Sequence, residues 1–157
     1  MNNECIPLIS AAYTKVETVH VQTTGVTGKK FVGPITSRQS GGLAGLAADP
    51  LAAGDGSNYV VAGPPAAGGK VSGVAMWDQV SAAKVPVISG PGTVLPITVG
   101  AGGVTANDLL KVDNTGAVVT ADQAAAGAQP AVWVVGKART TAASGDAEVE
   151  LVDPYLY

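Results

Sequence analysis

Charged and aromatic residues are scarce in this sequence. They make up 13% and 4% of its 157 residues, whereas about 25% of the residues in an ordinary globular domain are charged. The net charge is −3, so the chain lacks the basic surface with which proteins bind nucleic acids or anionic membranes. No apolar run approaches the ~18 residues that a membrane-spanning helix needs. We therefore expect neither nucleic acid nor a membrane as a partner.

Cysteine and histidine occur once each, as Cys5 and His20. A single cysteine excludes an intrachain disulfide, and the first residues lack the features of a signal peptide, which fits synthesis in a reducing cytoplasm. One cysteine and one histidine far apart do not make a zinc site, and the carboxylates are dispersed. We expect His20 to be solvated on the polar face of a strand. The sequence therefore predicts no catalytic residues, no metal site and no cofactor, and we do not expect an enzyme.

Two glycine-rich segments have the composition of nucleotide-binding loops but not their spacing. In residues 25–30, two residues separate the glycines instead of four, and a lysine stands where a phosphate-binding loop has serine or threonine. Residues 100–103 lack the third glycine of a dinucleotide-binding fingerprint. We interpret the first segment as a hairpin turn and the second as a connector.

Small and β-branched residues are abundant instead. The sequence has 23 valines, 26 alanines and 21 glycines but only 9 leucines. Valine favours pleated strands because its branched side chain is restricted at χ1, and so few leucines argue against a helical bundle. The predicted fold class is all-β, in the form of a compact small β-barrel or sandwich.

The chain divides into an arm and a domain. Residues 1–15 contain Pro7 and little periodicity, and we expect an extended N-terminal arm there. Residues 16–157 are predicted to form a single β domain with a long Gly/Ala-rich loop at 37–58. Within this domain, 73–87 and 136–151 echo each other weakly. The echo is compatible with two related hairpins on opposite sides of one barrel, and equally with chance.

Alternation of apolar and polar residues predicts the strands. Val19 and Val21 alternate with polar residues, and this strand is expected to form a hairpin with a short strand at 30–32. The run from Asp113 to Gly116 between two apolar stretches is the clearest hairpin signal. A brief helical turn is expected at 105–110. Further strands are predicted at 59–61, 71–77, 84–89, 93–99, 109–113, 117–121, 131–138 and 148–152.

The few large apolar side chains leave two alternatives. Trp77 and Trp133 would stack on sugar rings or anchor an interface if exposed, but with so few aromatic residues we expect both to be buried. Tyr155, Leu156 and Tyr157 would be an apolar liability on a free tail. We expect them to dock on their own domain or on a neighbouring subunit.

Five parts of the sequence carry a family resemblance. They are Asn3-Glu4-Cys5-Ile6-Pro7, Val26-Thr27-Gly28-Lys29-Lys30-Phe31-Val32, Gly73-Val74-Ala75-Met76-Trp77-Asp78, the hairpin at Gly116, and the closing pair 135–138 and 148–151. In this order, over most of the chain, they resemble the capsid decoration (cement) proteins of tailed bacteriophages. Residues 37–58 look like an insertion relative to compact members of that family, and the tail after Leu151 is extended.

The resemblance implies a structural virion protein without enzymatic activity. Such proteins bind the outer surface of an icosahedral head, commonly as trimers at local three-fold positions, and clamp neighbouring capsomers. The implied partners are the major capsid protein and further copies of this chain, which would be made in the host cytoplasm.

The implied contact residues lie in three places. We expect the arm to become ordered only on the capsid, and its candidate capsid-binding residues are Asn2, Asn3, Glu4, Cys5, Ile6, Pro7, Leu8 and Ile9. Candidate subunit-interface residues are Leu43, Leu46, Leu51, Tyr155, Leu156 and Tyr157. The rival interpretation is a carbohydrate- or receptor-binding β-module of a phage tail or fibre, with Trp77 or Trp133 as a stacking platform.

Overall fold

A computed structural model of the protein describes residues 4–21, 24–38, 59–61, 63–80, 83–121 and 132–156. These residues form strands joined by turns and loops, which confirms the predicted all-β fold class. In chain order the strands are β1 (Lys15–Val21), β2 (Phe31–Val32), β3 (Ile35–Arg38), β4 (Tyr59–Val61), β5 (Gly73–Ala75), β6 (Ala83–Ser89), β7 (Val94–Thr98), β8 (Leu109–Val112), β9 (Val118–Thr120), β10 (Trp133–Ala138) and β11 (Asp146–Leu156). Within the ranges given above, no helix has the length and apolar character that a membrane crossing requires.

The strands form two sheets. The first has the order β2-β5-β6-β1-β4-β3, in which β1 and β4 are parallel and the other neighbours antiparallel. The second has the order β7-β11-β10-β8-β9 and is antiparallel throughout. The two echoing segments of the sequence are antiparallel hairpins, β5–β6 in the first sheet and β10–β11 in the second.

The main core lies between the two sheets. The first sheet contributes Phe31, Val74 and Ile88, and the second contributes residues such as Leu95 and Leu110. A second cluster uses the opposite face of the first sheet and consists of Val19, Val21, Val26, Val32, Val61, Ala75, Val85 and Val87. Because successive residues of a strand point to opposite faces, the first sheet carries buried side chains on both of its faces.

His20 is buried, so its predicted solvation is wrong. Its exposed fraction is 2%. The residue lies on β1, which is an inner strand between β6 and β4, and both of its neighbours along the strand, Val19 and Val21, are buried as well. Apolar–polar alternation predicts a wet face only where one side of a sheet meets solvent, and that condition fails here.

Backbone hydrogen bonds join the two sheets at their edges. The Lys29 amide donates to the carbonyl of Ala75 at 3.0 Å, and the Lys29 carbonyl accepts from the amide of Thr98 at 2.9 Å. The Phe31 amide donates to the carbonyl of Gly116 at 2.8 Å. The turn before β2 therefore closes one side of the space between the sheets, as in a small barrel.

Two local predictions are wrong. The strand around Val19 does not form a hairpin with β2. It pairs with β6 and β4, whereas β2 pairs with β5. The connection between β1 and β2 instead turns toward the β5–β6 connection, where Val26 forms a bridge with Gln79.

The helical turn expected at 105–110 is a tight turn. The Asp108 amide donates to the Thr105 carbonyl at 3.0 Å, Asn107 has a φ of 79°, and β8 begins at the next residue, Leu109. A residue with positive φ does not continue a right-handed helix.

The hairpin predicted at Asp113–Gly116 is confirmed. It joins β8 to β9, and Gly116 has a φ of 82°. Of the loop predicted at 37–58, residues 39–58 lie outside the described residues, and its first two residues belong to β3.

Candidate interaction surface

Residues 4–14, called the N-terminal segment below, are seated on the domain. The Cys5 amide donates to the carbonyl of Met76 at 2.7 Å, and the Leu8 amide donates to the carbonyl of Val94 at 2.9 Å. The Val94 amide donates in return to the carbonyl of Ile9 at 3.0 Å. The free arm expected from the sequence is therefore docked instead, because its backbone groups have partners on the domain.

The segment covers the outer edge of β7, an edge strand of the second sheet. At this edge, the backbone groups that point away from the sheet belong to Val94, Pro96 and Thr98. Val94 bonds to the segment, the carbonyl of Pro96 accepts from the Cys5 thiol at 3.7 Å, and the Thr98 amide donates to the Lys29 carbonyl. Proline has no amide hydrogen to leave unpaired. The edge is thus covered along its length, as sheet edges in soluble proteins generally are.

The turn that ends the segment is closely fitted to the β6–β7 connection. The Thr14 hydroxyl accepts from the Ala11 amide at 2.8 Å and lies 2.6 Å from the Thr93 hydroxyl. Gly90 has a φ of 111°, and a Cβ at this position would lie 1.9 Å from the carbonyl oxygen of Tyr13. Only glycine allows this approach of the two backbones.

Cys5 is the buried anchor of the segment. Its exposed fraction is 0%, and burial raises the pKa of its thiol from 9.0 to about 12, against a smaller lowering by the positive charge of Lys29. Because the thiolate is the reactive form of cysteine, burial and the raised pKa both disfavour reaction at this thiol. Lys29 pairs with Asp146 at 2.7 Å beside it.

The other large side chains of this region face outward. Eight large hydrophobic side chains of the described residues are exposed, and five lie between residues 6 and 16. We call these five the apolar set: Ile6, Leu8, Ile9, Tyr13 and Val16, whose exposed fractions run from 52% for Ile9 to 75% for Tyr13. No charged residue occurs from position 5 to 14. An uncharged stretch of chain with several exposed apolar side chains is typical of a surface that contacts another protein.

A cleft of about 240 Å³ opens beside Tyr13. Phe31, Val135 and Leu151 are among its apolar lining residues, and its polar lining residues include Ser72, Lys15 and Asp153. One of them, Ser72, donates to the carbonyl of Gly33 at 2.8 Å. A lining of apolar side chains with a few polar groups suits the burial of a partner's side chain.

The structure separates the predicted capsid-binding residues into two kinds. Ile6, Leu8 and Ile9 are exposed, as is Glu4, whereas Cys5 is buried and Pro7 is half-buried. Cys5 therefore holds the segment and is not part of its outer surface. Asn2 and Asn3 lie outside the described residues.

Most of the predicted subunit-interface residues are not among the described residues. Leu43, Leu46, Leu51 and Tyr157 lie outside the described residues. The backbones of Tyr155 and Leu156 belong to β11 and pair with Val134 and Trp133 of β10.

Sequence reasoning missed Tyr13 and Val16 as surface residues. For Tyr13 the available signal was the uncharged run from position 5 to 14, which sequence reasoning interpreted only as an arm.

Neither tryptophan is fully buried, so that expectation is wrong. Trp77 is 42% exposed and lies beyond the end of β5. Trp133 begins β10 and is half-buried, with the Lys70 ammonium 4.9 Å from its ring centroid. Both residues lie at strand ends, where the two sheets no longer enclose a large side chain.

Comparisons with known proteins add a structural likeness. No protein-family model matches the sequence, and no curated protein matches it. Among solved structures, the fold is similar to the N base of the head fibre gp8.5 in bacteriophage phi29. The likeness covers 89% of this chain and 94% of the other, with a TM-score of 0.57 and a sequence identity of 16%. What the two chains share is the fold.

Proposed function

We propose that this protein is a structural component of a bacteriophage virion. It binds the outer surface of the icosahedral capsid and stabilises it by clamping adjacent capsomers, as a trimer at local three-fold positions. Its partner is the major capsid protein, it has no catalytic role, and it is made in the host cytoplasm before it joins the virion.

The observation that carries this proposal is the apolar set, which lies on the N-terminal segment and at the start of β1. A monomer that exposes five large apolar side chains within 11 residues has a surface suited to another protein. The absence of charge from position 5 to 14 lowers the cost of desolvating that surface, because buried charges need partners.

The fold supports the same proposal. The fold is similar to that of the base of a phage head fibre. We expect such a likeness for a protein that attaches to a phage capsid. The composition of the core also favours rigidity, since all eleven of the largest fully buried side chains of the described residues are Ile, Leu or Val on strands of the two sheets. Branched side chains lose little rotamer freedom on burial in strands, which suits a protein that stabilises a capsid.

A trimer would make attachment multivalent. Three weak contacts held on one rigid body bind with an effective concentration that separate contacts lack. The trimer clamps the capsid when its three N-terminal segments contact different capsomers. The isolated contact then need not be strong for the bound trimer to be stable.

The test is to remove the gene from the phage that carries it and to compare the heads by cryo-electron microscopy. We expect density at the local three-fold positions of wild-type heads that is absent from the deletion heads. Adding the purified protein to deletion heads should restore the density and raise the temperature at which the heads break. Heads that lack the protein in the wild type would overturn the proposal.

One observation favours a second candidate function, a carbohydrate- or receptor-binding module. Trp77 is 42% exposed, and an exposed indole ring can stack on a sugar. Glycan-array binding that is lost in Trp77→Ala and retained in Trp133→Ala would support this candidate. Protein that binds phage heads but no glycan would exclude it.

A further inference from the structure

We propose that the cleft beside Tyr13 is a binding pocket for an extended peptide segment of another protein. The segment places one large apolar side chain, the anchor, in the cleft, and a lysine or arginine next to the anchor pairs with Asp153. The inference goes beyond the proposed function, which rests on the apolar set and requires no pocket.

The apolar lining of the cleft belongs to the main core. Phe31, Val135 and Leu151 line the cleft and are members of the core cluster between the two sheets. Val71, another lining residue, packs against the same cluster. A side chain that enters the cleft therefore packs on the core itself, as the anchor residues of protein interfaces do in their pockets.

A β-bulge of β11 lies at the cleft. The register of β10 and β11 places three residues of β11, 152–154, opposite the single residue Val135. Val135 and all three residues of the bulge line the cleft. Bulges bend their strand and redirect its side chains, and they are over-represented next to active sites. The opening is therefore part of the strand pairing itself.

The volume of the cleft suits a single side chain. It is about 240 Å³, below the roughly 300–1,000 Å³ of pockets that enclose small-molecule ligands. Tyr13 and Pro154 also line the cleft, and both are exposed, so they offer apolar surface to the residues beside the anchor. The occupant that fits is a side chain protruding from a peptide, which brings neighbouring residues to the charged groups of the cleft.

The charges at the cleft select a basic neighbour for the anchor. Lys15 and Asp153 are its charged lining residues. The Lys15 ammonium pairs with Glu17, so its charge is already balanced. Asp153 is exposed, and within the described part of the chain no hydrogen bond or ion pair engages its carboxylate. The unbalanced charge is negative, as is the net charge of the chain, −3, and both favour a cationic partner.

The test is an NMR titration of the full-length protein with three acetylated and amidated hexapeptides. The first, Gly-Gly-Phe-Lys-Gly-Gly, carries an anchor and a cation, and it should shift the methyl signals of Val71, Val135 and Leu151. The second has alanine in place of phenylalanine and should bind at least about 10-fold more weakly, because it buries far less apolar surface. The third has glutamate in place of lysine and should bind about 2- to 5-fold more weakly, as expected for loss of an exposed ion pair.

Charge reversal at Asp153 tests recognition separately from folding. In Asp153→Lys the preference should invert, so that the glutamate peptide binds more tightly than the lysine peptide. Asp153→Asn should remove most of the preference. The matched control is Glu148→Lys, which makes the same change of charge at another exposed position of β11 that does not line the cleft. This variant should still prefer the lysine peptide.

Two results with the peptides would overturn the inference. They are methyl signals of the cleft that no peptide shifts, and a preference for lysine that survives in Asp153→Lys. Self-association of the protein that shifts the same methyl signals would also overturn it, because the cleft would then hold a second copy of this chain.

The outcome is separable from that of the proposed function, because head binding is scored independently by co-sedimentation. Protein that binds heads without binding the peptides would refute the pocket alone. Protein that binds the lysine peptide at the cleft but never binds heads would refute the proposed function and leave the pocket standing.

Discussion

The thiol of Cys5 lies 3.7 Å from the carbonyl oxygen of Pro96 and donates a hydrogen bond to it. The two residues are 91 positions apart in the sequence. Their contact joins the N-terminal segment to an edge strand at the one outward position where the strand has an acceptor but no amide. Cys5 is therefore the structural link between the start of the chain and the second sheet.

The first prediction concerns the pH dependence of stability. The pKa of Cys5 rises from 9.0 to about 12 on folding, chiefly because burial disfavours the thiolate. Below pH 9 both states keep the proton, so Cys5 adds no pH dependence. Between pH 9 and about 12 the unfolded chain releases the proton first. The free energy of unfolding should fall there by up to about 1.4 kcal/mol per pH unit.

Urea unfolding of the wild type and Cys5→Ala from pH 8 to 11 measures this effect. Lysines and tyrosines titrate in the same range, so the quantity of interest is the difference between the two proteins. That difference should shrink as the pH rises through 9. Parallel curves for the two proteins would show that the thiol is not buried in the folded state.

The second prediction concerns Gly116, which joins the β8–β9 hairpin to Phe31. A Cβ at Gly116 would lie 2.2 Å from the Phe31 carbonyl oxygen, and the residue has a φ of 82°. Gly145 has nearly the same φ, 79°, with nothing within 4 Å of its Cβ position. Gly145→Ala should cost about 1 kcal/mol of stability from strain alone, and Gly116→Ala at least about 2 kcal/mol more.

Thermal unfolding of the two variants separates strain from collision. The matched φ makes Gly145→Ala the control for backbone strain. Equal melting temperatures would mean that Gly116 is not in close contact with the backbone of Phe31.

Much of the strand content could be predicted from local sequence. The valine-rich runs gave β4 and β6 to β9 within one or two residues, because a stiff β-branched side chain marks a strand wherever it packs. The turn at Gly116 was also predictable, since a positive φ there favours glycine. The pairing of the strands could not be predicted in this way. The partner of Val21 in the parallel pair is Val61, and no local pattern specifies a contact 40 residues away.

The candidate surface was harder to predict than the fold. The sequence pointed to the first residues as a contact region, and Ile6, Leu8 and Ile9 are exposed. It did not reveal that Cys5 turns inward, because that depends on Pro96 and Met76, far along the chain. His20 was misjudged for a related reason. Burial of both faces of a sheet is a property of the assembled fold, and alternation in one strand does not report it.

The third prediction compares two ion pairs. Lys29 and Asp146 are 2.7 Å apart with side chains 19% and 34% exposed, whereas Arg139 and Glu150 are 3.7 Å apart and more exposed. Shielding from solvent and a shorter distance both strengthen a pair. A double-mutant cycle of Lys29→Met and Asp146→Asn should give a coupling of about 1 kcal/mol, near the upper end for partly exposed pairs.

The matched cycle uses Arg139→Met and Glu150→Gln and should give a coupling close to zero. Both cycles are measured by urea unfolding at low ionic strength, and salt should reduce the first coupling. A coupling for Arg139 and Glu150 as large as that for Lys29 and Asp146 would show that shielding and distance do not set the strength of these two pairs.

The fourth prediction tests the apolar set as the surface that meets the capsid. Serine at positions 6, 8 and 9 removes three exposed aliphatic side chains while keeping the backbone bonds of the segment, so folding stability should change little. Burying each such side chain against a partner contributes about 1 kcal/mol or more. The triple variant Ile6→Ser, Leu8→Ser, Ile9→Ser should therefore bind phage heads at least about 100-fold more weakly. Val80→Ser is the control, because Val80 is 73% exposed and lies outside the segment. Co-sedimentation with heads measures both variants, and unchanged binding of the triple variant would assign capsid attachment to another face of the protein.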